Sequence, residues 1–99
     1  MKPLEKEDGR LYTEARVKIH GEYETFRVLI DTGRRSTVFN RNKVPHDVLD
    51  AVSIGPLKVS SFSVELEDIE EDGIVGLDFL LKTGAKLNLD AMTISSSRT

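Results

Sequence analysis

The stretch RVLIDTGRRSTVFN, residues 27–40, runs three apolar residues straight into Asp31-Thr32-Gly33 and then into two arginines. An ionisable side chain at the end of an apolar strand is costly to bury, so its position asks for a reason. Gly33 permits a tight turn that a Cβ would obstruct, and Thr32 offers a hydroxyl to the backbone or to a neighbouring copy of the same turn. Such a turn holds the Asp31 carboxylate at a fixed place and angle. One carboxylate so placed is a liability, whereas two that share a proton form a dyad, one ionised to activate water and one protonated to donate. The plain alternative is a turn-forming Asp that only accepts backbone N–H groups.

Upstream, Leu11, Thr13, Ala15, Val17 and Ile19 alternate with Tyr12, Glu14, Arg16, Lys18 and His20, a period of two that predicts a strand. A turn around Gly21 leads into a second strand that becomes fully apolar as it nears Asp31. Downstream, residues 37–39 predict a short strand. Residues 51–66 predict a hairpin turning at Gly55-Pro56, with a register shift at Ser60-Ser61 that reads as a bulge. Residues 74–76, Ile-Val-Gly, read as a short buried segment. They lead into LDFLLKTG, a helix of about two turns that Gly84 would stop, with Leu77, Leu80 and Leu81 as its core face. An alternating stretch with a turn near Asp90-Ala91 closes the chain. Residues 1–9 are polar and read as a frayed terminus. The fold class is mainly β with one short helix near the C-terminus, in a single domain over residues 1–99.

The totals narrow the function. The chain has 99 residues, 38% hydrophobic and 31% charged, with a net charge of −3, a globular profile. Fourteen basic residues are scattered among seventeen acidic ones, with no basic patch of the kind nucleic acid requires, so no nucleic-acid partner is expected. There are no cysteines, which excludes disulfides and thiolate metal sites. No apolar run reaches membrane-span length and the charged start does not read as a signal peptide, so a cytoplasmic protein without a membrane partner is expected. His20 and His46 fall in turns far apart in sequence and read as surface histidines; no metal is expected. Six carboxylates crowd residues 65–72. Asp68, Glu70, Asp72 and Gly73 mimic the start of a calcium loop, but Phe79 stands where its bidentate Glu belongs, so a solvated, mutually repelling loop is expected.

LIDTG with STVF after it, the residue 52–66 hairpin and DGIVGLDFLLKTGAKLNLD together resemble the single-domain, retropepsin-like aspartic proteases, over almost everything from residue 11 to residue 94. The resemblance implies a closed β-barrel or sandwich, and a crossing in which Ile74, Val75 and Gly76 pack beside the DTG loop. It implies that Asp31 is the catalytic aspartate, that Thr32 fixes the loop and that Gly33 faces the substrate backbone, with no cofactor. None of the other Asp residues precedes Thr-Gly or Ser-Gly. A second half-site must then come from a second copy, and a C2 homodimer with a peptide or protein substrate is expected.

Two features depart from the family pattern. Arg34 follows the DTG where Ala or Ser is usual; beside the carboxylates it would favour the ionised form and oppose the shared proton. Two other placements are open: Arg34 points outward, or Arg34 or Arg35 pairs with Asp78. Only residues 41–50 remain for a flap, too few for two strands and a turn, so the flap is expected to be short or absent. Two functions follow: an aspartic endopeptidase, or a catalytically silent module of the same fold serving dimerisation or peptide binding.

Overall fold

Residues 1–97, the part described by the computed structural model, form eleven strands and one helix. The strands are β1 (Lys2–Pro3), β2 (Glu5–Glu7), β3 (Arg10–Ile19), β4 (Glu22–Ile30), β5 (Val38–Asn40), β6 (Val48–Ile54), β7 (Leu57–Ser63), β8 (Glu65–Glu67), β9 (Gly73–Val75), β10 (Ala85–Asn88) and β11 (Thr93–Ser96). The helix, α1 (Leu77–Thr83), lies between β9 and β10.

β3 and β4 make the long hairpin that the alternation predicts, in register from Leu11↔Ile30 to Ile19↔Glu22. Its turn residues, His20 and Gly21, have φ of 50° and 83°, the doubly left-handed pair whose twist matches that of the flanking strands. β6 and β7 make the second hairpin, closed at Gly55-Pro56 by the pair Ile54↔Leu57. Here the expected bulge is corrected. Leu49↔Phe62 and Ala51↔Ser60 keep one register across the gap, so no residue is inserted. Instead Ser61 takes a φ of 51° and the rung to Asp50 is lost, a kink that rotates the strand while preserving its count.

The larger sheet runs β7-β6-β3-β4-β9-β5-β8, with β2 added to β3; the smaller runs β1-β11-β10. β9 sits inside the larger one, parallel to β4 through Leu29↔Ile74 and Ile30↔Val75 and antiparallel to β5 through Val38↔Ile74. Gly73 belongs there because the Phe39 ring fills the space: a Cβ would lie 2.7 Å from two ring carbons. The sheet curls around Ala15, Val17, Val28, Phe39, Val52, Ile54, Leu57 and Phe79, all nearly or wholly inaccessible. Each such larger side chain contributes about 1.5–3 kcal/mol of burial. No strand occurs in residues 41–47, so the flap is absent.

Three expectations change. Residues 1–9 do not fray: β1 pairs with β11, β2 pairs with β3, and Leu4 between them is buried. Backbone pairing and one apolar anchor hold a segment whose composition gave no sign of order. The strand expected through Leu66 breaks after Ser63, and β8 pairs parallel with β5 instead. On α1 the inner face is Phe79, Leu80 and Thr83, while Leu81 is 71% exposed. At 100° per residue, positions 79, 80 and 83 share a side from which 81 points away; Leu77 is only half-buried.

Candidate active site

Asp31 is the first residue beyond β4, and β9 fixes it there. Its N–H donates to the Val75 carbonyl at 3.0 Å, continuing the β4–β9 pairing by one bond. Asp31 Oδ1 accepts from the Gly33 N–H at 2.9 Å, and the Arg34 N–H returns to the Asp31 carbonyl at 3.2 Å. The carboxylate is thus held by its own turn, half-buried, beside exposed Thr32 and Gly33. A Cβ on Gly33 would stand 3.2 Å from Asp31 Oδ1, crowding the oxygen that the turn positions.

The loop then folds back over the start of α1. Gly76 lies flat beneath it: a Cβ there would come within 2.8 Å of the Arg34 carbonyl oxygen and 2.9 Å of the Ser36 carbonyl carbon. Leu77 and Asp78 donate their N–H groups to the carbonyls of Arg34 and Arg35, at 2.8 and 3.0 Å. Val75 thus bonds Asp31 and Gly76 lies against residues 34–36, while Ile74 pairs with Leu29 and Val38 inside the sheet.

Arg34 turns away from Asp31. Its Nε donates to the Ser36 carbonyl at 2.7 Å, and one terminal nitrogen reaches Glu65 at 3.3 Å and Glu67 at 3.2 Å. Asp78, offered above as a partner for Arg34 or Arg35, is taken by Thr37. The Thr37 hydroxyl donates to Asp78 Oδ1 at 2.6 Å and its N–H to both carboxylate oxygens, while the same hydroxyl accepts from the Gly76 N–H at 3.1 Å. Asp78 also accepts the Phe79 N–H at 2.7 Å. This relay ties the loop to the helix, and Thr37 is fully buried. Sequence reading missed both roles; the one available signal was a hydroxyl residue and an Asp flanking the two crossing segments.

The acidic stretch is not the self-repelling loop expected. Glu65 and Glu67 face Arg34, Asp68 faces Arg41 at 3.6 Å and Asp72 faces Lys43 at 2.5 Å. His20 and His46, unrelated in sequence, meet: their Nε2 atoms are 2.6 Å apart. Among the described residues no three or more His, Cys, Asp or Glu are grouped to hold a metal. Two surface clefts of about 370 and 430 Å³ lie elsewhere, and neither is lined by Asp31. No helix among the described residues is long and apolar enough to cross a membrane.

No family model and no curated protein matches the sequence. Solved structures do match. The retroviral protease-like domain of Ddi1 from Leishmania major superposes with a TM-score of 0.69 at 16% identity, covering 94% of this chain and 89% of that one. A retropepsin-like aspartic protease from Rickettsia conorii gives a TM-score of 0.68 at 16% identity, covering 91% and 85%. With β9 inserted between β4 and β5 beside the DTG loop, and with these structural counterparts, the chain has the retropepsin-like fold.

Proposed function

We propose that the chain is an aspartic endopeptidase that works as a homodimer, with Asp31 of each protomer forming the catalytic pair. The observation that carries this reading is the placement of Asp31: its backbone is locked to Val75, its carboxylate is oriented by the Gly33 N–H, and it remains partly open to solvent. The outward turn of Arg34 onto Glu65 and Glu67 supports it, because the guanidinium that would oppose a shared proton is engaged elsewhere. In the pair, one carboxylate takes a proton from water as the water attacks the peptide carbonyl, and the protonated partner donates to the carbonyl oxygen. Collapse of the tetrahedral intermediate returns a proton to the leaving amine.

The missing flap shapes the substrate. With no strand in residues 41–47, no hairpin closes over the pair, so binding relies on an open groove between protomers. Extended or unfolded polypeptide fits such a groove, and poorer water exclusion lowers the rate. The same feature favours the second reading, a silent module of this fold for dimerisation or peptide binding.

The test is incubation with an unfolded polypeptide from acidic to neutral pH, with Asp31→Asn alongside and the mass in solution measured. Cleavage by the dimer that falls by at least about 10³-fold in Asp31→Asn is the expected result. Cleavage that persists in Asp31→Asn removes Asp31 from the mechanism, and a dimer that cleaves nothing supports the silent module.

A further inference from the structure

The histidine pair lies outside the candidate active site and has no part in the proposed hydrolysis. His20 stands at the tip of the β3–β4 hairpin and His46 in the loop that replaces the flap; both are exposed. Their rings are nearly perpendicular, with centroids 4.2 Å apart, and present the same nitrogen to each other at 2.6 Å. Two imidazoles so placed hold at most one hydrogen between their Nε2 atoms, so at least one lone pair faces inward.

Both backbones are anchored, which distinguishes this pair from two mobile surface side chains. The hairpin tip is tied to β6 by the Gly21 N–H, which donates to Asp50 Oδ2 at 3.1 Å. On the loop side Val44 is fully buried, its N–H donates to the Asn40 carbonyl at 3.0 Å, and the Asp47 carbonyl accepts the Val64 N–H at 2.8 Å. His46 is therefore fixed from both sides. The local charge also suits a cation. Asp50 lies against the hairpin tip, and Glu22 and Glu24 line one cleft with His20. The cations of that cleft, Arg41 and Lys43, face Asp68 and Asp72.

The geometry points to a two-histidine site for a divalent transition-metal ion, with His20 Nε2 and His46 Nε2 as the protein ligands and water in the remaining positions. Two imidazole nitrogens at about 2.0–2.1 Å from one ion are about 2.9 Å apart at a right angle and about 3.4 Å apart at the tetrahedral angle. From 2.6 Å the rings need to open by about 0.3 Å for the first and about 0.8 Å for the second. Tetragonal ions such as Cu²⁺ and Ni²⁺ are therefore preferred, and Cu²⁺ binds more tightly than Ni²⁺ or Zn²⁺. Mg²⁺, which prefers oxygen donors, does not bind. Bound metal joins the hairpin tip to the loop and raises the unfolding temperature.

The test is calorimetric titration of the full chain at neutral pH with CuCl₂, NiCl₂ and MgCl₂, repeated on His20→Asn and His46→Gln. Asn suits position 20 because it tolerates the left-handed φ there. The expected result is one Cu²⁺ or Ni²⁺ per chain and none for Mg²⁺. Either substitution should weaken binding by more than about tenfold, since losing a direct ligand matters at least as much as losing an outer-shell partner. Wild-type protein that shows no saturable binding below about 1 mM, leaving only a shared proton between the rings, overturns the site. So do variants that keep their affinity within about twofold. Broadening of wild-type proton resonances by substoichiometric Cu²⁺ requires no variant: the ring protons of His20 and His46 should vanish first, and earlier loss elsewhere refutes the assignment.

Discussion

Replacing Gly76 by Ala tests the crossing that holds the DTG loop. Gly76 has φ −101° and ψ −173°, an extended conformation open to any residue, so the backbone itself carries no penalty. The penalty is steric. The new Cβ would stand 2.8 Å from the Arg34 carbonyl oxygen, 2.9 Å from the Ser36 carbonyl carbon and 3.1 Å from the Ser36 oxygen, all of them backbone atoms that no rotamer change can move. Bringing the closest contact to ordinary distance requires the loop to withdraw by about 0.6 Å, and overpacking of this kind costs about 1–3 kcal/mol. The same withdrawal stretches the Leu77 N–H to Arg34 carbonyl bond, now 2.8 Å, beyond useful length and removes about 1 kcal/mol more.

Together these give a destabilisation of about 2–4 kcal/mol, which at about 4–8 °C per kcal/mol lowers Tm by roughly 8–32 °C. Gly9→Ala is the control. Gly9 has φ 75° with nothing within 4 Å of a built Cβ, so it bears only the left-handed strain of about 1–2 kcal/mol. The assay is thermal unfolding by circular dichroism at one fixed protein concentration, because association makes Tm concentration-dependent. A Gly76→Ala variant that loses less Tm than Gly9→Ala refutes the claim that the crossing is a rigid, close-packed contact.

Four further substitutions probe the surroundings. Thr37→Val keeps the volume but leaves the Gly76 N–H without its hydroxyl acceptor and takes one of Asp78's donors, the backbone N–H groups of Thr37 and Phe79 remaining, so urea unfolding should show a loss of about 1–3 kcal/mol; a change under about 0.5 kcal/mol counts against the relay. Arg34→Met removes partly exposed ion pairs to Glu65 and Glu67 and should cost no more than about 1 kcal/mol. A large rise in peptide cleavage with that variant would show that the guanidinium reaches the carboxylates after all. On α1, Phe79→Ala should cost about 3–5 kcal/mol by denaturant midpoint while Leu81→Ala stays within about 0.5 kcal/mol. The reverse order would invert the packing face of the helix.

What could be read from the chain was what depends on local chemistry. The period-two alternation gave β3 and β4, the Gly-Pro pair gave the β6–β7 turn, and Gly84 gave the end of α1, because strand pleat and turn preference act on neighbours in sequence. Asp31 and its turn were legible for the same reason. The partners that decide the site's electrostatics were not. Glu65 and Glu67 reach Arg34, and Asp78 reaches Thr37, only because β5, β8 and β9 bring distant segments side by side. The His20–His46 meeting has the same origin. The N-terminal strands escaped because charged residues form backbone pairs as readily as apolar ones when an anchor such as Leu4 is buried, and composition reports only the side chains.

The insertion of β9 between β4 and β5 also governs when the site exists at all. Its parallel partner β4 lies far back along the chain, with the whole β6–β7 hairpin between them, and pairings of such long range are slow to nucleate. The bond from Asp31 to Val75 extends that pairing by one residue. A chain in which β9 has not docked on β4 therefore lacks the bond that holds Asp31 in place, even where both hairpins are complete.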